Sequence, residues 1–393
     1  MNEFISILIS FIFMSLADSV DSAFNNYISI DAIVVCGSLI FIKFILKSIG
    51  EVGIYTYRVV RKNESSYLLI SGIVGLILGV FSFVFSDVLA NLFELTIVQK
   101  ELLSNVLKLF IIYLPISILH VGLLEIIRLK NELKLYRKGL IITYISLIGL
   151  DLLAFIFTKN LLALLVATIL SDAICFTYLS YKTKIKLKKL TKKEFENIKA
   201  YGILYSLERV LSRIFILIYG ILSSYMGESK YAIHSICYSI CLNLEIITNA
   251  YSAALMIKIP EEKDKFKQLD LLKEYMKKCF IIVLVINFIM SLILLIIEHG
   301  SLPINECFPY IILYSCTVFG LYLYESYKAI CVVQGKTKIL LEGSIVGVIV
   351  RVIFCLLFLK TPICLYVFGL ASFIDFFTRG LIYKRQFLSK PIW

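Results

Sequence analysis

The residues most able to do chemistry in this sequence are the few ionisable side chains that lie inside long apolar segments. Asp18 and Asp21 are three residues apart in the first segment, so they share one face of a helix. Lys43, in the second segment, lies within about one helical turn of the depth of Asp18. A charge at membrane depth is costly and usually faces a cavity or a partner. These residues therefore form either a proton or cation site or a structural Asp18–Lys43 ion pair.

Three later apolar segments each carry a further acidic candidate. Asp172, in the sixth segment, can line the same cavity as the acids of the first. Glu208 opens the seventh segment and is either a site residue or part of an ion pair at the inner membrane interface. Glu245 lies near the middle of the eighth segment, flanked by Asn243 and Asn249. Those two amides either join Glu245 in a site or only bond neighbouring helices.

The sequence contains no recognisable catalytic or metal-binding motif. It has three histidines and ten cysteines, but no HExxH, no CxxC and no nucleotide-binding P-loop. We therefore expect no enzymatic activity, no cofactor and no metal site. Arg351 and Asp375, in the last two segments, are predicted to form a buried pair or a gating contact rather than to bind a ligand.

The composition indicates which elements must position these residues. Of 393 residues, 60% are apolar and 17% are charged, whereas soluble chains have about 45–50% and about 25%. This excludes a soluble globular protein, a disordered protein and a nucleic-acid-binding domain. About 12 membrane-spanning helices of about 22 residues would use the whole chain.

Twelve apolar runs have the length of a membrane-spanning helix. Since they lack the alternation of a barrel strand, we predict an all-α polytopic membrane protein. The runs lie at 3–26, 31–57, 67–90, 103–127, 139–157, 161–181, 200–224, 231–257, 279–298, 307–328, 340–359 and 363–383.

The basic residues predict the orientation and the domain organisation. With the N-terminus in the cytoplasm, the outer loops hold only four lysines, and the other loop Lys and Arg residues fall inside. An even number of helices and two cytoplasmic termini follow. The basic loop KTKIKLKKLTKKEFENIK separates two halves of six helices. Faint similarity between the halves suggests a pseudo-twofold repeat. We predict bundles at 1–181 and 200–393, joined by a cytoplasmic linker at 182–199.

Four segments of the sequence carry a resemblance to a known family: VDSAFNNYISIDAIVVCGS (20–38), LLEIIRLKNELKLYRKG (123–139), LERVLSRIFILIYGILSSYMGESKYAIHSI (207–236) and VVQGKTKILLEG (332–343). They resemble the multidrug and toxic compound extrusion (MATE) family, which belongs to a larger group that includes polysaccharide and lipid-precursor flippases. The segment 332–343 resembles the family's turn between the tenth and eleventh helices. The tenth helix has no match to the acidic residue that is common there in the family.

The resemblance implies a secondary transporter with two six-helix bundles around a central cleft, working by alternating access. Asp21 matches the family's first-helix aspartate, and Glu208 resembles an acidic residue early in the seventh helix. We expect a monomeric exporter of organic, cationic, multidrug-type compounds in the plasma membrane. Protons or sodium would drive it by antiport, with protonation of Asp21 releasing substrate outward.

Three alternatives remain open at this stage. The first is a flippase for lipid-linked oligosaccharide or another amphiphilic cargo, which an unusually basic cavity would favour. The second is an intramembrane enzyme, and the third is a non-transporting receptor or assembly factor.

Overall fold

The structure, a computed structural model, consists of α-helices over the residues it describes, which are 2–185, 188, 190–259, 265–334 and 336–388. A short π-helical turn, Ile198–Gly202, lies between the tenth and eleventh helices. The α-helices are α1 (Asn2–Asn26), α2 (Ile30–Gly50), α3 (Val52–Val60), α4 (Glu64–Val84), α5 (Ser86–Ala90), α6 (Ile97–Lys108), α7 (Phe110–Leu129), α8 (Leu133–Thr158), α9 (Leu161–Thr183), α10 (Lys192–Asn197), α11 (Ile203–Ser224), α12 (Glu228–Lys258), α13 (Lys265–Glu298), α14 (Ile304–Ser315), α15 (Thr317–Val333), α16 (Thr337–Phe358) and α17 (Cys364–Leu388).

Eleven helical segments of the described chain are long and apolar enough to cross a membrane. They overlap eleven of the twelve predicted runs, so the all-α polytopic prediction is confirmed and the chain is a multi-pass membrane protein. The remaining run, 200–224, also forms a helix, α11. Helix α11 carries three charged residues within six positions, Glu208, Arg209 and Arg213.

The first compact unit, here called unit 1, comprises Met1–Ala23 and Tyr225–Trp393. Several side chains of α1 contact α12. Ser15 Oγ of α1 donates a hydrogen bond to the backbone carbonyl of Asn243 at 3.0 Å. This polar contact holds the first helix of the chain among the helices of the second half of the sequence.

The second compact unit, here called unit 2, comprises Phe24–Ser224 and contains α2 to α11. Helix α11 packs closely along α2. Ser206 Oγ donates to the carbonyl of Ser48 at 3.1 Å. Gly220 allows the ring of Phe41 to approach, because a Cβ atom there would lie 2.3 Å from that ring. A side chain at this position would force the two helices apart.

The two units differ from the predicted bundles by one long helix each. The sequence places α1 in the bundle 1–181 and α11 in the bundle 200–393. By contacts, most of α1 groups with unit 1 and α11 groups with unit 2. The six-plus-six repeat stays a prediction.

Most cysteine side chains are buried in one or other unit. Eight of the ten are buried, and Cys36 and Cys316 are partly exposed. Free cysteine behaves as a small apolar residue in such positions.

Candidate functional site

Unit 2 holds two lysines on one face of α2, and the second of them lies in the last turn of the helix. Lys43 and Lys47 are four residues apart, so they lie one above the other on the helix. The ring of Tyr113 on α7 faces both of them, with its centroid 5.4 Å from Lys43 Nζ and 5.2 Å from Lys47 Nζ. Cations over an aromatic ring gain a modest electrostatic attraction. Both lysines remain partly exposed.

A buried imidazole–carboxylate pair lies beside these lysines. His120 on α7 and Asp172 on α9 are 4% and 8% exposed. His120 Nδ1 lies 2.8 Å from Asp172 Oδ1, and His120 Nε2 lies 3.1 Å from Thr143 Oγ1 on α8. Asp172 also interacts electrostatically with Lys47. Three adjacent helices therefore meet at one polar group in an apolar surrounding.

Helix α11 adds two arginines that lie over aromatic rings of α2 and α3. Arg213 lies with its guanidinium carbon 4.4 Å from the ring centroid of Phe44 on α2. Arg209 lies 6.0 Å from the ring of Tyr55 on α3. We call Lys43, Lys47, Arg209 and Arg213 the basic stripe.

The basic stripe gives this part of unit 2 an excess of positive charge. Helices α2, α7, α9 and α11 together carry six Lys and Arg residues against four Asp and Glu residues, and four of the six cations form the stripe. Glu208 lies in α11, but its side chain falls outside the part that the structure describes. All four cations are partly exposed rather than sealed in the protein interior. A cluster of this kind attracts anions.

A second charged group lies at the ends of α3 and α7. Glu125 accepts hydrogen bonds from Arg58 Nε at 3.0 Å and from Arg128 Nη2 at 2.7 Å. Burial alone would lower the pKa of Arg58, but the Glu125 carboxylate holds that pKa above its usual range. Burial, aided by the carboxylate of Glu51, raises the pKa of Tyr55 well above its usual range. Glu125 pairs with Arg58 and Arg128, and Tyr55 bonds to Glu51, so we assign these residues a structural role.

Unit 1 contains a buried carboxylate at the end of α13. Glu298 is fully buried and accepts a hydrogen bond from Asn243 Nδ2 on α12 at 2.9 Å. The hydroxyls of Ser19 and Ser239 also bond to it, and Asp18 interacts with it electrostatically. Glu298 is therefore held by neutral hydrogen-bond donors, with the carboxylate of Asp18 near enough to interact with it.

Glu245 lines a separate small pocket of unit 1. Asn287 and Thr317 lie around the same pocket. Of the two roles predicted for the neighbouring amides, Asn243 has that of bonding a neighbouring helix, because its Nδ2 donates to Glu298 of α13. Asn249 is exposed.

The remaining predicted residues fall into separate places. Lys43 and Asp172 both interact with Tyr113, so the structure brings them together in unit 2. Asp18 and Asp21 are partly buried in the α1 part of unit 1. The proposed pairing of Asp18 with Lys43 stays a prediction, as do the roles of all six candidate residues.

Two other buried groups of unit 1 have structural roles. Asp375 lies between Arg351 Nη1 at 3.7 Å and Arg379 Nη2 at 2.8 Å, which confirms the predicted Arg351–Asp375 pair. His234 is fully buried and bonds to the hydroxyl of Tyr314 among several aromatic rings.

Neither His120 of unit 2 nor Glu298 of unit 1 was singled out from the sequence, although both form polar contacts with neighbouring helices. His120 is one histidine in an apolar run and Glu298 looks like a loop residue, because it ends a run just before His299 and Gly300. The available signal for His120 was its spacing from Tyr113, which is two helical turns and therefore the same face. In the described chain, no group of three or more His, Cys, Asp or Glu residues could hold a metal ion.

Comparison with solved structures finds this fold in known transporters. An inward-facing multidrug resistance MATE family transporter of the MOP superfamily is 14% identical, with 97% of each chain covered and a TM-score of 0.74. A MOP superfamily transporter from Pyrococcus furiosus is 15% identical, with 98% of this chain and 94% of that chain covered and a TM-score of 0.75. For that transporter, a reverse polarity of the binding pocket suggests a different function.

A third similar structure is the lipid II flippase MurJ in an inward closed conformation. It is 18% identical, with 99% of this chain and 88% of that chain covered and a TM-score of 0.71. The sequence matches no protein-family model and no curated protein. The structural likenesses confirm the expected fold resemblance to MATE transporters.

Proposed function

We propose that this protein is a secondary transporter that moves an anionic, lipid-like compound across the membrane by alternating access. The basic stripe of unit 2 carries this proposal. Cations at membrane depth are costly unless a partner compensates them. Two ammonium and two guanidinium groups are suited to phosphate oxygens, which accept strong charge-assisted hydrogen bonds. An apolar tail would accompany such a headgroup within the hydrocarbon layer.

The fold comparisons are compatible with this cargo. One similar structure is a lipid II flippase, and another has a binding pocket of reversed polarity. The distribution of basic residues supports two cytoplasmic termini. The proposal places the chain in the plasma membrane. The proposed transporter works as a single chain, and a proton or sodium gradient drives the transport.

A transport assay in vesicles tests the cargo. The purified chain is reconstituted with NBD-labelled phosphatidylglycerol, and transbilayer movement is followed by dithionite quenching. We expect this anionic lipid to cross at least about tenfold faster than NBD-phosphatidylcholine, because the zwitterionic headgroup carries no net charge for the basic stripe. Equal rates for the two lipids would contradict an anion-selective transporter.

A second candidate function is export of organic cations by antiport, as the sequence resemblance implies. Two observations favour it: Asp18 and Asp21 are partly exposed, and the buried carboxylate of Glu298 interacts with Asp18. In the vesicle assay this function would appear as gradient-driven movement of ethidium, an aromatic cation, in place of the anionic lipid.

Replacing Asp21 by Asn is expected to abolish cation efflux in that case, because an amide cannot exchange a proton for a cationic substrate. The measurement is ethidium efflux from cells, with membrane insertion checked by immunoblot. Glu274→Gln is a matched control, since Glu274 is an exposed acid paired with Lys278. Normal efflux by a well-inserted Asp21→Asn protein would remove Asp21 from the coupling site.

A further inference from the structure

His120 contacts two polar groups, one through each ring nitrogen. Its Nε2 atom lies 3.1 Å from Thr143 Oγ1, and that hydroxyl also lies 3.0 Å from the backbone carbonyl of Gly139. Thr143 can accept a hydrogen bond from Nε2 while it donates to Gly139, or it can donate to Nε2. Nε2 therefore has a partner both when it carries a hydrogen and when it does not.

The other ring nitrogen faces a carboxylate, with Nδ1 2.8 Å from Asp172 Oδ1. A hydrogen on Nδ1 attracts the carboxylate at this distance, so Nδ1 carries a hydrogen in the neutral ring and in the imidazolium. The second hydrogen of the imidazolium is then on Nε2, where Thr143 can accept it. The surroundings of His120 therefore fit both charge states of the pair.

The groups that face this pair determine what loss of the proton does. Lys47 of α2 interacts electrostatically with Asp172, and Ser117 of α7 forms a hydrogen bond with it. Lys43 of α2 reaches the same group through Tyr113 of α7, whose ring it shares with Lys47. Within α9, Asp172 is followed one turn later by the thiol of Cys175, which donates to the carbonyl of Gly139 at 3.3 Å. Besides Asp172 itself, the two lysines are the charged groups in this set.

Losing the proton changes the pair from neutral to a net charge of −1. Asp172 already interacts electrostatically with Lys47. In the deprotonated state the uncompensated carboxylate therefore competes with any other anion for that ammonium group. In the protonated state His120 neutralises Asp172, and Lys47 is available to an incoming anion.

We propose that the His120–Asp172 pair is a proton-binding site, and that its occupation strengthens the binding of an anionic headgroup by Lys43 and Lys47. The proposal rests on the proposed anionic cargo. Binding of the proton and binding of the headgroup are then reciprocally linked, because each raises the affinity for the other by the same factor.

The proton site is tested directly by nuclear magnetic resonance on the full chain in detergent. With ¹⁵N-labelled histidine, only His120, His234 and His299 contribute ring signals. His234→Gln and His299→Gln identify the His120 signals by elimination. We expect the His120 ring nitrogens to report loss of one proton between pH 5.5 and pH 9. Signals that stay constant over this range would overturn the proton site.

The linkage is tested by binding of short-chain NBD-phosphatidylglycerol, whose phosphodiester keeps one charge over the same pH range. In the unaltered protein the affinity should fall about tenfold as the pH rises through the transition of His120, since a negative charge appears near the lysines. His120→Gln and Asp172→Asn should each make the affinity independent of pH. His299→Gln should behave as the unaltered protein.

Two outcomes separate this inference from the proposed function. An unchanged pH dependence in His120→Gln would overturn the coupling while leaving an anionic cargo intact. Unchanged affinity after loss of both Lys43 and Lys47 would overturn the proposed cargo, and the linkage with it, whatever the histidine signals show.

Discussion

Replacing Lys43 and Lys47 together by glutamine should lower the affinity for phosphatidylglycerol by on the order of 100-fold or more. Each hydrogen bond between a charged donor and its partner contributes about 1.5–3 kcal/mol, and about 1.4 kcal/mol corresponds to a factor of ten. Glutamine retains the length and polarity of the side chain but not its charge. Binding is measured by fluorescence anisotropy of the labelled lipid in detergent.

A matched double substitution controls for the loss of two positive charges. Lys192 and Lys193 are adjacent, exposed residues at the start of α10. The Lys192→Gln, Lys193→Gln protein removes the same net charge and should retain affinity within about threefold. If both double variants lose affinity equally, general surface charge explains the binding and the basic stripe does not.

Replacing Asp375 by alanine should destabilise the protein by about 3–5 kcal/mol, because it leaves two buried guanidinium groups without their shared carboxylate. Asp375 is fully buried, and Arg351 and Arg379 are each 2% exposed. The apparent melting temperature should fall by roughly 10 °C. The buried cysteines provide the measurement, since a thiol-reactive dye labels them as the protein unfolds.

The companion variants distinguish charge imbalance from a lost packing contact. Glu342→Gln removes an exposed carboxylate 4.0 Å from Lys338 and should shift the melting temperature by no more than about 1 °C. Adding Arg351→Met to Asp375→Ala removes one of the two uncompensated charges and should recover part of the loss. No recovery in that double variant would mean that charge imbalance does not cause the destabilisation.

The helices could be predicted from the sequence because hydrocarbon length is a local property of each apolar run. One local signal in the predicted linker 182–199 also appears in the structure. Thr191 and Glu194 have the spacing of a capping box, and they form one at the start of the short helix α10. The grouping of α1 with α12 was not predictable in this way, because it depends on contacts between distant segments, such as that of Ser15 with Asn243.

The site was only partly predictable for the same reason. Asp172 stood out as a charge in an apolar run, but its neighbour His120 lies 52 positions away on another helix. Their contact depends on the rotation and relative height of α7 and α9, and a single sequence does not encode these in any readable pattern. Glu298 was missed for the same reason. Its burial depends on polar partners from α1 and α12, among them Asn243.

The uneven burial of the cysteines makes the chain suitable for spectroscopy without added labelling sites. Cys36 lies in unit 2 and Cys316 in unit 1, and these two thiols are the partly exposed ones. Brief treatment of the folded protein with a maleimide spin label should therefore place one reporter on each unit. Pulsed electron resonance between the two would then record, at different pH values and with or without anionic lipid, whether the units move during transport.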